Sequence, residues 1–249
     1  MNVWQAILVG IVQGLTEFLP VSSSGHILLV SRIMGIEPSL SFTLIVHLAT
    51  LLSVVIAMRK ELADFFRSKD KWGKIILATA CSLVVIFALN GMLSDAFDGK
   101  YLGLSFLVTA ALLVISGFAK PTKKEVSYIG AVIIGCAQGF AVMPGLSRSG
   151  TTISTALFTG VERSAAVSFS FLLSIPIIIG SATLDLITHG IGSISILPLI
   201  FGFVSAFICG LFAVRLMKKL TSKISDAFAI YLIALSAVVI VNDLFLHLF

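Results

Sequence analysis

The sequence predicts an all-α polytopic membrane protein built as an inverted-topology repeat, with two re-entrant helical hairpins and about six full spans. Three observations predict it. Of 249 residues, 58% are apolar and only 12% charged, with a mean hydropathy of +1.11, whereas soluble domains carry roughly 25% charged residues. The Lys and Arg residues cluster at the ends of apolar runs. A polar segment also occurs twice, as QGLTEFLPVSSSGH from Gln13 to His26 and as QGFAVMPGLSRSGTT from Gln138 to Thr152.

The elements follow in order. Residues 2–37 form the first hairpin, broken near Pro20. The first span, 41–58, ends at Arg59 and Lys60 and opens the longest polar stretch, which runs to Lys74 and holds six cations. Spans 75–93 and 101–119 flank an acidic loop with Asp95 and Asp98. Lys120, Lys123 and Lys124 then precede the second hairpin, 126–163, which is broken at Pro144 and Gly145. Span 165–187, the loop 188–193 and span 196–216 lead to four cations between Arg215 and Lys223, and span 227–248 ends the chain. The positive-inside rule places the three basic loops in the cytoplasm and the acidic loop outside. The second hairpin therefore enters and leaves on the cytoplasmic face, and the first does so on the outer face.

At a constant offset of 125, the hairpins share Ala6/Ala131, Gly10/Gly135, Gln13/Gln138, Gly14/Gly139, Ser22/Ser147, Ser24/Ser149, Gly25/Gly150, Gly35/Gly160, Glu37/Glu162 and Ser39/Ser164. This register divides the single membrane domain, 1–249, into repeat 1 (about 2–119) and repeat 2 (about 126–248). Both termini and the site are then extracytoplasmic. The first cation is Arg32, so no cleavable signal peptide is expected. The net charge of +5 belongs to the basic loops and not to nucleic-acid binding. Cys81, Cys136 and Cys209 lack metal-type spacing and read as packing residues.

Polar groups at bilayer depth mark a site. After each break a Ser-rich turn opens a helix. Ser22, Ser23 and Ser24, and Ser147 and Ser149 with Gly150, supply caps and free N–H groups at a positive helix end, which is an anion site. Arg148 adds a fork suited to phosphate oxygens. Two such sites facing one another suit a diphosphate. Glu17 follows Gln13 by four residues on one helix face, and this oxygen pair fits a divalent cation (Mg2+ or Ca2+) or a base. His26 lies three residues after Ser23, within reach on one turn, and suits proton transfer or phosphorylation. His47 reads as a core histidine, His189 and His247 as solvated, and Glu162 and Arg163 as interfacial charges. Asp185 lies near the outer end of its span.

On EFLPVSSSGH (Glu17–His26), PGLSRSGTT (Pro144–Thr152) and FSFLLSIP (Phe169–Pro176), the chain resembles the undecaprenyl-diphosphate phosphatase family of the BacA, bacitracin-resistance type. The resemblance runs along essentially the whole chain. It implies hydrolysis of the terminal phosphate of a polyprenyl diphosphate, regenerating the monophosphate carrier lipid for cell-envelope glycan synthesis. It also implies a divalent cation and a site open to the outer face of the plasma membrane. Carried over by motif position, Arg148 neutralises the diphosphate, with Gly145, Ser147, Ser149, Gly150 and Thr152 around it. Ser23 is the favoured nucleophile, ahead of phosphorylated His26 and metal-bound water. Glu17 binds metal, with Gln13 beside it, or activates the nucleophile, and His26 transfers the proton. Gln13 stands where the family also allows Glu, which leaves Glu17 as the single site acid. The partners expected are the lipid substrate and the bilayer, with no nucleic acid; a homodimer is the one protein assembly considered. A polyprenyl-phosphate flippase, alone or as a second activity, is the alternative. Phosphate release by purified protein separates the two.

Overall fold

The computed structural model describes residues 1–89, 99–190, 195–219, 223–246 and 248. The acidic loop with Asp95 and Asp98, residues 191–194, the His189 side chain and His247 lie outside the described residues. The described chain is helical throughout: α1 Val3–Phe18, α2 Ser23–Met34, α3 Leu40–Ala57, α4 Arg59–Arg67, α5 Lys69–Leu89, α6 Leu102–Gly117, α7 Tyr128–Phe140, α8 Arg148–Phe158, α9 Arg163–His189, α10 Ile196–Lys219 and α11 Lys223–Val241, which runs into a π-turn at Asn242–Leu246.

Local chemistry sets these boundaries. Asn2 and Gln5 form a capping box at the start of α1. Ser22, Ser39, Ser127 and Ser147 each cap the helix that follows through the side-chain oxygen. The left-handed Gly35 closes α2. Each Ser-rich cap sits just past a break, at 19–22 and 141–147, so the chain forms two helix–break–helix units, α1/α2 and α7/α8.

Five helices, α3, α5, α9, α10 and α11, are long and apolar enough to cross a membrane, so the protein is a multi-pass membrane protein. The expected spans shift slightly. Span 41–58 is α3, span 75–93 begins earlier at Lys69, and span 165–187 extends to Arg163–His189 with Pro176 inside it. The span expected at 101–119 is the shorter α6, whose 16 residues reach about 24 Å at about 1.5 Å per residue. The polar stretch after Arg59 is not a loop. Its residues alternate apolar (Leu62, Phe65, Phe66) and charged (Lys60, Asp64, Arg67) at helical spacing and form the amphipathic α4.

The two halves of the chain are interleaved. Helix α1 packs along α10, and α7 along α5. The repeated glycines make both contacts close. A Cβ on Gly10 would lie 2.4 Å from the carbonyl oxygen of Gly202, and one on Gly14 would lie 2.5 Å from that of Ala206. On Gly135 it would meet the Ala78 carbonyl oxygen at 2.3 Å, and on Gly139 that of Ser82 at 2.9 Å. Backbones approach this closely only through small residues. Ser82 Oγ donates to the Gly135 carbonyl (2.8 Å) across the α5–α7 seam. Helices α6 and α11 pair around Leu102, Phe106 and Leu232, and Phe18, Ile134, Phe171 and Leu173 fill the main core. The three cysteines are free thiols, partly buried.

Candidate functional site

The two breaks touch. Gly145 has φ +88°, a left-handed turn that glycine adopts without strain, and its N–H donates to Ser22 Oγ at 3.1 Å. Ser149 Oγ donates to the Leu19 carbonyl at 3.0 Å, so each break is fastened to the other. Thr109 on α6 braces the second break. It accepts from the Ser147 N–H at 3.0 Å and lies 3.1 Å from the Gly145 carbonyl. Ser22 caps α2 by accepting from the Gly25 N–H, and Ser147 caps α8 by accepting from that of Gly150. The Ser22–Ser24 and Ser147–Ser149 hydroxyl pairs, 3.3 and 3.2 Å apart, repeat the same turn. The first N–H groups of both helices, at Ser23 and Ser24 and at Arg148 and Ser149, have no intrahelical acceptor.

These helix starts open on a cavity of about 220 Å3, lined by Glu17, Ser22, Ser23, Ser24, Ser147 and Arg148, with Thr16, His47, Gln138 and Ser181 completing its polar wall. Glu17 is its hub. Ser23 Oγ donates to Glu17 Oε2 at 2.6 Å and Gln13 Nε2 donates to the same oxygen at 3.0 Å. Arg148 forms an ion pair with Glu17 Oε1. The partly buried guanidinium thus has its anionic partner within the chain. The Glu17 side chain is 3% exposed, while Arg148 keeps 21% of its side chain exposed.

Not every expected contact forms. Ser23 and His26 do not meet, because Ser23 bonds Glu17 while the His26 ring turns away. His26 Nδ1 donates to the Ser22 carbonyl at 2.7 Å, and Nε2 lies 2.7 Å from the Tyr231 hydroxyl. Thr152 lies one turn into α8, buried behind the cavity wall, where its hydroxyl bonds the Arg148 carbonyl (2.9 Å) and Ser170 (2.6 Å). Gly145 and Gly150 shape the turn through their backbones and are not among the cavity-lining residues. Among the described residues no group of three or more His, Cys, Asp or Glu forms a metal cage. Gln13 Oε1 and Gln138 Oε1 are buried without hydrogen-bond partners.

Several groups escaped the sequence reading. His47, a core histidine by its sequence setting, lines the cavity, with Nδ1 donating to the Thr43 carbonyl within its own helix. Tyr231 and Thr109 carry no local signal, since their partners lie far away in sequence. The register did mark Gln138, as the counterpart of Gln13. Glu162 occupies the N-cap position of α9 without a side-chain cap bond, and Arg163 bonds Ser225 at 2.7 Å.

The chain is similar in sequence to several named proteins along most of its length. A protein of Carboxydothermus hydrogenoformans named undecaprenyl-diphosphatase is 39% identical over 237 residues, covering 90% of this chain and 90% of its own length. One of the same name from Christiangramia forsetii is 40% identical over 259 residues, covering 96% and 98%. A third, from Methanococcus maripaludis, is 36% identical over 228 residues, covering 87% and 90%. The family model described as bacitracin resistance protein BacA matches residues 6–238, and the chain belongs to that family.

Proposed function

We propose that the protein is an integral membrane phosphatase. It removes the terminal phosphate of undecaprenyl diphosphate and leaves the monophosphate carrier lipid and inorganic phosphate. The observation that carries this reading is the Ser23–Glu17 hydrogen bond (2.6 Å) beside Arg148 and two helix N-termini in one cavity. An anion site alone would serve a carrier; a hydroxyl held on a carboxylate adds an attacking group, which a flippase does not need. The volume of about 220 Å3 is below the roughly 300–1,000 Å3 of drug-sized pockets, so it suits a diphosphate headgroup whose polyprenyl tail stays in the bilayer.

The geometry supports the following sequence. The diphosphate enters between the N–H groups of α2 and α8, and Arg148 exchanges Glu17 for phosphate oxygens. Glu17, released from the guanidinium, takes the Ser23 proton as Oγ attacks the terminal phosphorus. The anhydride P–O bond breaks, and the lipid monophosphate leaves. Water then hydrolyses the phosphoserine. Arg148 and the helix ends stabilise charge on the transferred phosphoryl throughout. Ser24 Oγ, exposed at the mouth, and Ser147 donate to its oxygens.

The residues fit a divalent cation in a limited way. Gln13 Oε1 is a buried oxygen with no donor, next to Glu17 through the Gln13 Nε2 bond, and hard cations such as Mg2+ or Ca2+ take oxygen ligands. Gln13 and Glu17 would hold the ion, and the substrate would supply most other ligands. When bound, such an ion neutralises diphosphate charge.

The helix–break–helix units are read as re-entrant hairpins related by inverted topology. Support comes from the offset-125 register, the recurring Ser caps and the paired α1–α10 and α7–α5 seams. With the basic loops cytoplasmic, the termini and the cavity face the outer side of the plasma membrane. The test is phosphate release from undecaprenyl diphosphate by purified protein in detergent with Mg2+ or Ca2+. Release lost in Ser23→Ala is the expected result; no release from wild type would refute the reading.

A further inference from the structure

His26 and Tyr231 come from opposite ends of the chain yet meet at 2.7 Å, with rings stacked at 5.7 Å and 17°. Phe106 closes the third side of the imidazole, edge-on at 5.4 Å. Both ring nitrogens are engaged. A carbonyl oxygen only accepts, so Nδ1 carries the proton toward Ser22. With no carboxylate hydrogen-bonded to the ring, the neutral imidazole then accepts a hydrogen bond from the phenol O–H at Nε2. A nitrogen held this way is neither a free nucleophile nor a free shuttle.

The group His26 holds is unusual. Ser22 is the one described non-glycine residue with positive φ, at +73°, a conformation disfavoured for residues with a Cβ. Its carbonyl takes two bonds from His26, from the backbone N–H (3.2 Å) and from Nδ1 (2.7 Å). Its hydroxyl joins the two breaks by accepting from Gly145. Ser23 follows directly, so the direction of its Oγ toward Glu17 depends on how Ser22 is held.

We propose that Tyr231 is a positioning residue for the hydrolysis, acting through His26: its phenol fixes the ring so that Nδ1–H holds the left-handed Ser22 turn, which aims Ser23 at Glu17 and seats Ser22 against Gly145. The proposal rests on the phosphatase reading for its kinetic consequence, but not for its structural one. His26 is then also a positioning residue and not a proton-transfer group.

Full-length protein in detergent tests both parts. In 15N-histidine spectra, His26 should show a protonated Nδ1 and a bare Nε2, and Tyr231→Phe should shift the Nε2 signal; an Nε2-protonated tautomer would overturn the proposal whether or not the protein hydrolyses the lipid. In kinetics, Tyr231→Phe should lower kcat about tenfold with KM changed less than about twofold. His26→Asn, whose amide reaches the Ser22 carbonyl as Nδ1 does, should recover at least about tenfold over His26→Ala. Equal inactivity of folded His26→Asn and His26→Ala, or a phosphate trapped on the His26 ring, would refute it. Wild type inactive on the lipid, with the expected tautomer present, would sink the phosphatase reading and leave the clamp standing.

Discussion

Replacing Glu17 by Gln separates the two duties that its position imposes. The side chain is nearly fully buried and pairs with Arg148, so the isosteric change keeps the volume and removes the charge. Breaking one partner of a buried ion pair costs about 3–5 kcal/mol. Arg148 keeps a fifth of its side chain exposed, which places the loss near about 3 kcal/mol. For a chain of this length that is a fall in Tm of roughly 6–12 °C. Loss of the base that receives the Ser23 proton should separately lower turnover by about 10²–10⁴. The double variant Glu17→Gln/Arg148→Gln removes the unpaired charge, so it should recover most of the Tm and none of the activity. Thermal unfolding by intrinsic fluorescence and phosphate release on the same detergent preparations measure both. Glu17→Gln turning over within tenfold of wild type would refute the role of Glu17 as base. A double variant no more stable than Glu17→Gln would refute the ion-pair account.

Arg148→Lys keeps the charge but loses the planar fork, and should lower kcat/KM by at least about tenfold, with Arg148→Ala lower still; equal activity of Lys and Arg would show that a point charge suffices. Ser23→Ala combined with Glu17→Gln should be no slower than the worse single variant, because the pair acts as one unit. Gly135→Ala drives a Cβ to 2.3 Å from the Ala78 carbonyl oxygen and should destabilise by about 1–3 kcal/mol, read as a lower Tm, while Gly180→Ala, in a helix with open space around it, should not lower Tm. A cysteine at Tyr101 should react with an impermeant maleimide from outside intact cells and one at Lys71 should not; the reverse pattern would invert the orientation.

The all-helical membrane architecture was legible in the sequence, as were several polar residues that line the cavity. Apolar length and cation clusters pointed to the five long apolar helices, α3, α5, α9, α10 and α11, because the bilayer imposes both signals directly on the chain, whereas 101–119 holds the shorter α6. The breaks were legible because Pro and Gly interrupt helices and Ser caps them. Glu17, Ser23 and Arg148 stood out as costly polar groups at depth, and they do converge. Their pairing was not legible. The i,i+3 spacing suggested that Ser23 faces His26, yet the Ser22 turn at φ +73° rotates the first turn of α2 so that Ser23 reaches back six residues to Glu17. His26 bonds Tyr231, 205 positions away, and no periodicity encodes such a contact. His47 looked like a core residue because a lone histidine in an apolar run carries no mark of the cavity it lines.

The offset-125 register acquires physical content once its positions are sorted by what they touch. Most identities fall on the frame. Gly10 and Gly135 admit a partner backbone, as do Gly14 and Gly139, while Ser22 and Ser147 cap equivalent helices on Gly25 and Gly150. Differences fall on the chemistry. Glu17 stands where the second copy has Val142, His26 where it has Thr151, and Ser23 where it has Arg148. Ser23 and Arg148 are each the first residue of their helix, so the frame presents both at equivalent places beside the same cavity. Two Ser-capped helix starts thus bring a hydroxyl and a guanidinium to a shared carboxylate. Substitution at a shared glycine such as Gly14 should therefore damage stability and activity together, whereas substitution at Ser23 should remove activity alone.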